Sequence, residues 1–285
     1  QPSAAEKLGL DAGSMIDNIG NPDQGSLLQA AVLTSAVPRP LASAARHGEQ
    51  APALLLWLLL DGDAEQQRRQ LEDVEALMGP STRQRVERFA ANGTVEPAQR
   101  LPLLEMAQPA LRRLPRGELL KLRRAVHKLA AADERIEPFE FLLAQVLRTY
   151  LAEALGNQGH AQGGGMRLTR RRPAAGVSLA ALAHFGHPDD REAARAAFDA
   201  GAAVMELELP CHWPDGATWT RDLERALQAL DALTPAAKET LVRGWVAAVL
   251  YDDTARTREL EMLRACCASI QVPLPLTGSG DNEPA

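Results

Sequence analysis

The sequence predicts an all-α protein, an irregular array of helices in two sub-bundles joined by a long loop rich in glycine and arginine. Hydrophobic residues make up 46% of the 285 residues but aromatic residues only 4%, so the core must consist mostly of Leu, Ala and Val. Such a mixture favours helices, because strands prefer β-branched and aromatic residues. Apolar residues also recur at helical intervals, in runs that proline or glycine often ends.

The first half of the chain is predicted to form an N-terminal helical array over residues 24–155. Residues 1–23, which glycine and proline punctuate, are predicted to be a flexible lead-in. The run at 51–60 is apolar on every side, which indicates a helix buried on every face. The predicted helix at residues 97–114 contains two internal prolines, so we expect a break or kink in it. Helices are expected at residues 26–37, 41–47, 51–60, 63–78, 81–91, 97–114, 117–132 and 138–155.

The composition changes sharply at residues 156–176, which contain three consecutive glycines, three consecutive arginines and hardly an apolar residue. This segment is predicted to be a linker or a disordered loop. A C-terminal helical array is predicted over residues 177–272, and residues 273–285 are predicted to be a disordered tail. Its helices are expected at residues 177–185, 188–204, 220–233, 235–250 and 254–270.

Charge, hydropathy and cysteine content exclude several classes of protein. The chain has 31 basic and 37 acidic residues, a net charge of −6, which argues against nucleic-acid binding. Its longest apolar run, 51–60, has about half the length that a bilayer crossing needs, so no membrane span is expected. The three cysteines cannot form a disulfide framework, and Cys266 and Cys267 are expected to be small core residues. Because the chain begins with Gln1, we expect a processed protein or an excised fragment.

No motif identifies a catalytic residue. The His-Glu-x-x-His and Gly-x-Ser-x-Gly patterns are both absent, and no glycine-rich loop has the residues that bind phosphate. One near-cluster of metal-ligand residues exists, and it consists of His184, His187, Cys211 and His212. It admits two interpretations: a zinc site, as in a metal-binding protein or a metal-dependent hydrolase, or histidines that merely cap the end of a helix.

A weak internal repeat places four carboxylates at matching positions. Segments 126–150 and 246–270 both read as helix, acidic turn, helix, and each has two acids seven residues apart. The acids are Asp133 and Glu140 in the first segment, and Asp252 and Glu259 in the second. If the two turns converged, the four side chains could offer hard oxygen ligands to a cation such as Ca²⁺. The alternative is that the acids only complement helix N-termini, so that no metal is bound.

The basic cluster of the predicted linker also has two interpretations. It consists of Arg167, Arg170, Arg171 and Arg172. Either the arginines form a solvated loop, or they contact anionic lipid headgroups. Because the whole chain is acidic, an anionic membrane surface should repel it, and we expect the isolated chain to show little binding to anionic vesicles. In a parent protein that is tethered by membrane helices, the arginines would contact the headgroups at high effective concentration.

Several segments resemble a known family. Residues 129–151, LAAADERIEPFEFLLAQVLRTYL, are similar to the C-terminal region of bacterial membrane-bound zinc metallopeptidases of the HtpX/CAAX-prenyl-endopeptidase-like family. The helix–acid–helix pieces also resemble TerB-like helical modules. Further segments of the same character are residues 12–22 (AGSMIDNIGNP), 54–70 (LLLWLLLDGDAEQQRRQ), 100–114 (RLPLLEMAQPALRRL) and 259–276 (ELEMLRACCASIQVPLPL).

The resemblance implies a non-catalytic, soluble domain of a membrane protease that acts as an interaction, substrate-binding or regulatory module. The family's zinc-binding helix, its downstream glutamate and its membrane helices have no counterpart here, so this chain is expected to be neither an enzyme nor a cofactor protein. Zinc would belong to the catalytic domain of the parent. The implied partners are that protease domain, the membrane helices of the same polypeptide and protein substrates, on the cytoplasmic side of the bacterial inner membrane.

Overall fold

The computed structural model of the chain describes residues 37–93, 95–131, 138–156, 165–214, 218–252 and 257–272. Helices account for 77% of these residues, and twelve of the helices are α-helices. No strand occurs in this part of the chain, so the predicted all-α class is confirmed. The predicted lead-in at 1–23 and the predicted tail at 273–285 lie outside the described residues.

The chain divides into two compact units. The N-terminal unit comprises residues 33–158, and the described residues of the C-terminal unit lie between 165 and 272. The helices of the N-terminal unit are α1 (Arg39–Arg46), α2 (Ala51–Trp57), α3 (Ala64–Met78), α4 (Pro80–Asn92), α5 (Pro97–Leu111), α6 (Arg116–Ala131) and α7 (Pro138–Ala154).

Helix α2 forms the centre of the N-terminal unit. All six of its residues from Ala51 to Leu56 are buried, as the apolar run predicted. The helix packs against α1, α4, α5 and α6, so neighbouring helices cover it on several sides. Full burial of so many leucines contributes about 1.5–3 kcal/mol each to folding.

Helix-capping residues, glycine and proline mark the ends of the surrounding helices. The carboxylate of Asp63 accepts hydrogen bonds from the backbone N–H groups of Glu65 and Gln66, and so caps α3. Helix α3 ends at Gly79, whose φ of 89° is a left-handed conformation that glycine adopts without strain. Pro80 then begins α4, because the first turn of a helix does not need its missing N–H.

Helix α5 decides against one of two predicted outcomes. Pro102 and Pro109 predicted a break or a kink, and the break does not occur, because α5 continues through both prolines from Pro97 to Leu111. Leu101, Leu103 and Leu104 are all at most 1% exposed. Burial of this apolar face outweighs the hydrogen bonds that the two prolines remove.

The C-terminal unit is a second helical array with its own core. It contains a 3₁₀-helix (Leu168–Arg171), α8 (Arg172–Gly186), α9 (Arg191–Val204), α10 (Trp219–Asp231), α11 (Pro235–Val249) and α12 (Thr257–Ser269). Helices α9 and α11 cross closely, because each presents a glycine to the other. A Cβ atom on Gly201 would lie 2.6 Å from the carbonyl oxygen of Gly244.

The second half of the predicted linker is folded. Residues 157–164 lie outside the described part, but residues 165–176 include the 3₁₀-helix and the first turn of α8. The Thr234 N–H donates to the carbonyl of Met166 (3.0 Å), and Leu168 is buried. The sequence did not predict this order, because the segment has few large apolar side chains and its backbone pairs with a residue about 70 positions later in the chain.

The two segments of the internal repeat each pair their helices. Helix α6 packs against α7, and α11 packs against α12. The four helices belong to different units, the first two to the N-terminal unit and the last two to the C-terminal unit. Within the described ranges, no helix is both long enough and apolar enough to cross a bilayer.

Candidate functional site

The two predicted metal-ligand histidines lie near the end of α8 and have different neighbours. The ring of His184 lies 6.3 Å from that of Trp213, and burial, with a smaller effect of Arg191, lowers the pKa of His184. The Nδ1 atom of His187 lies 3.3 Å from the carbonyl oxygen of Ala183. The position near the C-terminus of α8 agrees with the capping interpretation.

Cys211 and His212 follow α9 in an irregular segment. Cys211 is half-buried, and burial raises the pKa of its thiol, which disfavours the thiolate that binds metals. His212 is exposed. Across the residues that the structure describes, no three His, Cys, Asp or Glu side chains form a group that could hold a metal ion. The four predicted residues therefore do not form such a group in this structure.

The four predicted carboxylates are divided between the two units, two in the sequence range of each. Asp133 lies outside the described residues. In the N-terminal unit, Glu140 lies in the first turn of α7, with its Oε1 atom 3.6 Å from Nη1 of Arg100. In the C-terminal unit, Glu259 lies in the first turn of α12. Acids in a first turn complement the helix dipole, as the alternative interpretation predicted.

The structure brings together one residue from each predicted metal set. The Nε2 atom of His187 lies 3.8 Å from Oδ2 of Asp252. The carboxylate of Glu259 lies against Gly186, where a Cβ atom would approach its Oε1 atom to 2.8 Å. The pairing joins the end of α8 to the chain that follows α11.

Cys266 and Cys267 are core residues, as predicted. Both lie inside α12 and are at most 1% exposed. Burial raises the pKa of Cys266 to about 12, and burial together with the neighbouring Cys266 raises that of Cys267 well above its usual value. These thiols are therefore protonated at neutral pH and unsuited to nucleophilic chemistry.

The N-terminal unit contains a surface groove that the sequence did not predict. It lies between α1 and α4, and both helices pack on α2. We call it the α1–α4 groove and define it by Pro40, Leu41, Ala44, Arg85, Arg88 and Phe89. Because Leu41 and Ala44 are buried, Pro40 and Phe89 provide most of the apolar surface of the groove, and Gln50 and Asn92 line it together with the two arginines.

The apolar part of the groove rests on an aromatic stack. The rings of Phe89 and Trp57 lie 5.7 Å apart with an interplanar angle of 20°. Gly93 follows α4 at the same place, and a Cβ atom there would lie 2.7 Å from Cη2 of Trp57. Phe89 remains half-buried, so part of its ring is available to a ligand.

The polar part of the groove is cationic. Arg85 donates to the carbonyl oxygen of Glu49 (3.0 Å) and to its Oε2 atom (3.3 Å), although that glutamate side chain is 86% exposed. Arg88 is exposed and donates to the neutral amide oxygen of Gln84 at 3.4 Å. The groove can therefore offer one or two guanidinium groups to an acidic ligand beside an apolar surface.

The sequence contained one signal of this groove. The sequence of α4, PSTRQRVERFAAN, contains only two large apolar side chains besides its first proline, Val86 and Phe89, so this helix can cover little of the core; in the structure Val86 alone is buried. A phenylalanine on such a helix indicates an apolar surface that the fold itself does not fully cover. The opposite wall could not be predicted, because α1 lies about forty residues earlier in the chain.

Comparisons of the chain with family models, with curated proteins and with solved structures gave no match. The resemblance to the zinc metallopeptidase family therefore stays a prediction.

Proposed function

We propose that the chain is a protein-interaction module whose N-terminal unit binds an acidic peptide segment in the α1–α4 groove. The observation that supports this proposal is the combination of a half-buried phenylalanine with two arginines beside it. An apolar side chain of the partner would cover Phe89, and carboxylates next to it would meet the arginines. Grooves of this kind commonly receive one face of an amphipathic segment.

The exposed pair of Arg85 with Glu49 supports an acidic partner. Glu49 already provides a carboxylate to this guanidinium, at 3.3 Å. An exposed ion pair contributes only about 0–1 kcal/mol, so a partner's carboxylate can replace it at little cost. Arg88 has only a neutral amide within hydrogen-bonding distance among the described residues. A second carboxylate would therefore gain a charge-assisted hydrogen bond there.

The family resemblance suggests where such a module would act. We propose that it is the non-catalytic region of a membrane-bound zinc metallopeptidase on the cytoplasmic side of a bacterial membrane. The bound segment would then come from a protein substrate or from the protease domain itself. In this setting the module selects substrates or regulates the protease, and the zinc belongs to the parent's catalytic domain.

Calorimetric titration with short synthetic peptides tests the groove. One set carries two leucines at helical spacing flanked by Asp and Glu; two matched sets replace the acids by Asn and Gln or by Lys and Arg. We expect the acidic set to bind most tightly. Arg85→Glu/Arg88→Glu should weaken its binding at least about tenfold, because the partner's carboxylates then meet like charges.

The matched control is Arg123→Glu/Arg124→Glu on α6. These arginines are exposed, and the substitutions change the net charge by the same amount. The control should bind the acidic peptides with nearly unchanged affinity. Equal binding of acidic and neutral peptides, or equal losses in the two variants, would refute the groove proposal. A thermal melt of each variant checks that both are folded.

The alternative from the sequence, a metal-dependent hydrolase, is tested by metal analysis of chain purified without chelators. Stoichiometric zinc that disappears in His187→Ala would favour this alternative. Zinc-free chain that still binds acidic peptides would favour the interaction module.

A further inference from the structure

The four arginines of the predicted linker lie on an ordered turn. Arg167 precedes the 3₁₀-helix, Arg170 and Arg171 end it, and Arg172 begins α8. We call this group the arginine turn. The backbone pairing of Met166 with residues 232–234 and the buried Leu168 hold it in place. The sequence predicted that the arginines lie in a flexible loop. In the structure they lie on an ordered turn instead.

The geometry of a 3₁₀-helix explains how the side chains distribute. Residues three apart eclipse each other, so Arg171 lies on the side of the buried Leu168. Accordingly Arg171 is half-buried, and its Nε atom is shielded from solvent without a hydrogen-bond partner. Arg167 and Arg170 share another side and are both exposed, as is Arg172. Three of the four arginines are thus exposed to solvent on one short turn.

Local charge balance makes the arginine turn unusual in its unit. Residues 159–285 contain 13 basic and 17 acidic residues, yet no acid occurs from residue 159 to residue 188. Within the described residues, no carboxylate lies within ion-pair distance of the four arginines. A positive patch therefore stands on a unit that is otherwise acidic.

We propose that the arginine turn binds the anionic headgroups of a lipid bilayer. Three exposed arginines on one ordered turn allow several headgroups to approach them at once. Lipids diffuse laterally and can gather around such a pattern, whereas the phosphates of a duplex have a rigid spacing. Each basic residue near an anionic surface strengthens binding about fivefold. The ordered turn also avoids the entropy cost of ordering a loop on the membrane.

Sedimentation with vesicles tests this proposal on the full chain. The probes are phosphatidylcholine vesicles with and without phosphatidylserine, at low and at high salt. We expect binding that requires phosphatidylserine and decreases with salt, because the Debye length falls from about 10 Å at 0.1 M to about 3 Å at 1 M. Arg167→Gln/Arg170→Gln should lower the partition coefficient about thirtyfold.

The matched control is Arg221→Gln/Arg225→Gln, which removes the same charge from exposed positions on α10. It should retain most of the binding. Absence of phosphatidylserine-dependent binding at low salt, or equal losses in the two variants, would refute the proposal. Tighter binding to duplex DNA than to the vesicles, lost in Arg167→Gln/Arg170→Gln, would assign the arginine turn to nucleic acid instead. The outcome is independent of the peptide groove, which lies in the other unit.

Discussion

Ser178 satisfies the one polar group of the largest buried side chain in the described core. The indole N–H of Trp245, which is fully buried, donates to the Ser178 hydroxyl at 3.1 Å, and that hydroxyl donates to the carbonyl of Ala175 at 3.0 Å. Ser178→Ala leaves the indole N–H without an acceptor in an apolar environment. We expect the free energy of unfolding to fall by about 1–3 kcal/mol in urea denaturation.

Ser269→Ala is the matched control for that substitution. Ser269 is also buried on a helix, but its hydroxyl only donates to the carbonyl of Ala265. Removal of this hydroxyl leaves no buried donor without an acceptor, so we expect the free energy of unfolding to fall by less than about 1 kcal/mol. Similar losses in the two serine variants would contradict the importance of the Trp245 hydrogen bond.

Single residues show how far sequence reasoning extends. The burial of Cys266 and Cys267 was predicted because both lie in an apolar helix, where free cysteines usually serve as small core residues. The residue types of His184 and Cys211 predicted a common metal site. Both side chains interact electrostatically with Arg191, but the described residues contain no group of three ligands that could hold a metal ion. Residue types in the sequence suggest which side chains could be metal ligands. The fold determines which of those side chains lie close enough to bind one ion.

At the scale of elements, the crossing of α9 and α11 depends on two glycines. A Cβ atom on Gly244 would contact the Met205 side chain and would lie 2.8 Å from the carbonyl oxygen of Gly201. Because that oxygen belongs to the backbone, relief requires the helices to separate. Gly244→Ala should therefore destabilise the chain by about 1–3 kcal/mol, as measured by urea unfolding.

Gly117→Ala on α6 provides the comparison for the helix crossing. A Cβ atom on Gly117 meets nothing within 4 Å, so alanine should be neutral or stabilise by up to about 1 kcal/mol. A Gly244→Ala variant as stable as Gly117→Ala would show that the two helices adjust without cost.

Elements were predicted well where an apolar stripe was continuous and poorly where it was interrupted. The buried run at 51–60 appears as α2, although the helix ends at Trp57. The helix-breaking cost of proline alone predicted too strong an interruption of α5, because that cost leaves out the free energy that burial of the leucines contributes. The arginine turn was missed for the opposite reason, since long-range pairing rather than local pattern holds it.

At the scale of the whole molecule, the N-terminal unit has its own core and should fold alone. Its seven helices pack on one another around α2, and about 125 residues are enough to bury most of their apolar surface. A fragment of residues 33–158 should give a helical circular dichroism spectrum and a single cooperative urea transition. Retention of helicity without cooperativity would mean that its core needs the rest of the chain.

The fold class followed from composition, but the candidate sites did not. Abundant Leu and Ala with few aromatics suffice to predict helices, because this preference is local. The α1–α4 groove depends instead on how two helices share α2 as a support, which is a property of tertiary packing. The basic cluster was recognised from the sequence, but the order of its backbone was not, because that order depends on the pairing of Met166 with residues 232–234.

The aromatic stack beneath the groove gives the molecule an intrinsic optical reporter. Trp57 is the single tryptophan of residues 33–158, since Trp213, Trp219 and Trp245 all belong to the other unit. In the isolated fragment, all indole fluorescence would arise from a ring stacked on Phe89. A peptide that covers this stack removes water from the indole and shifts its emission to shorter wavelength. Occupation of the groove can thus be followed without a label, in the same sample whose unfolding is measured.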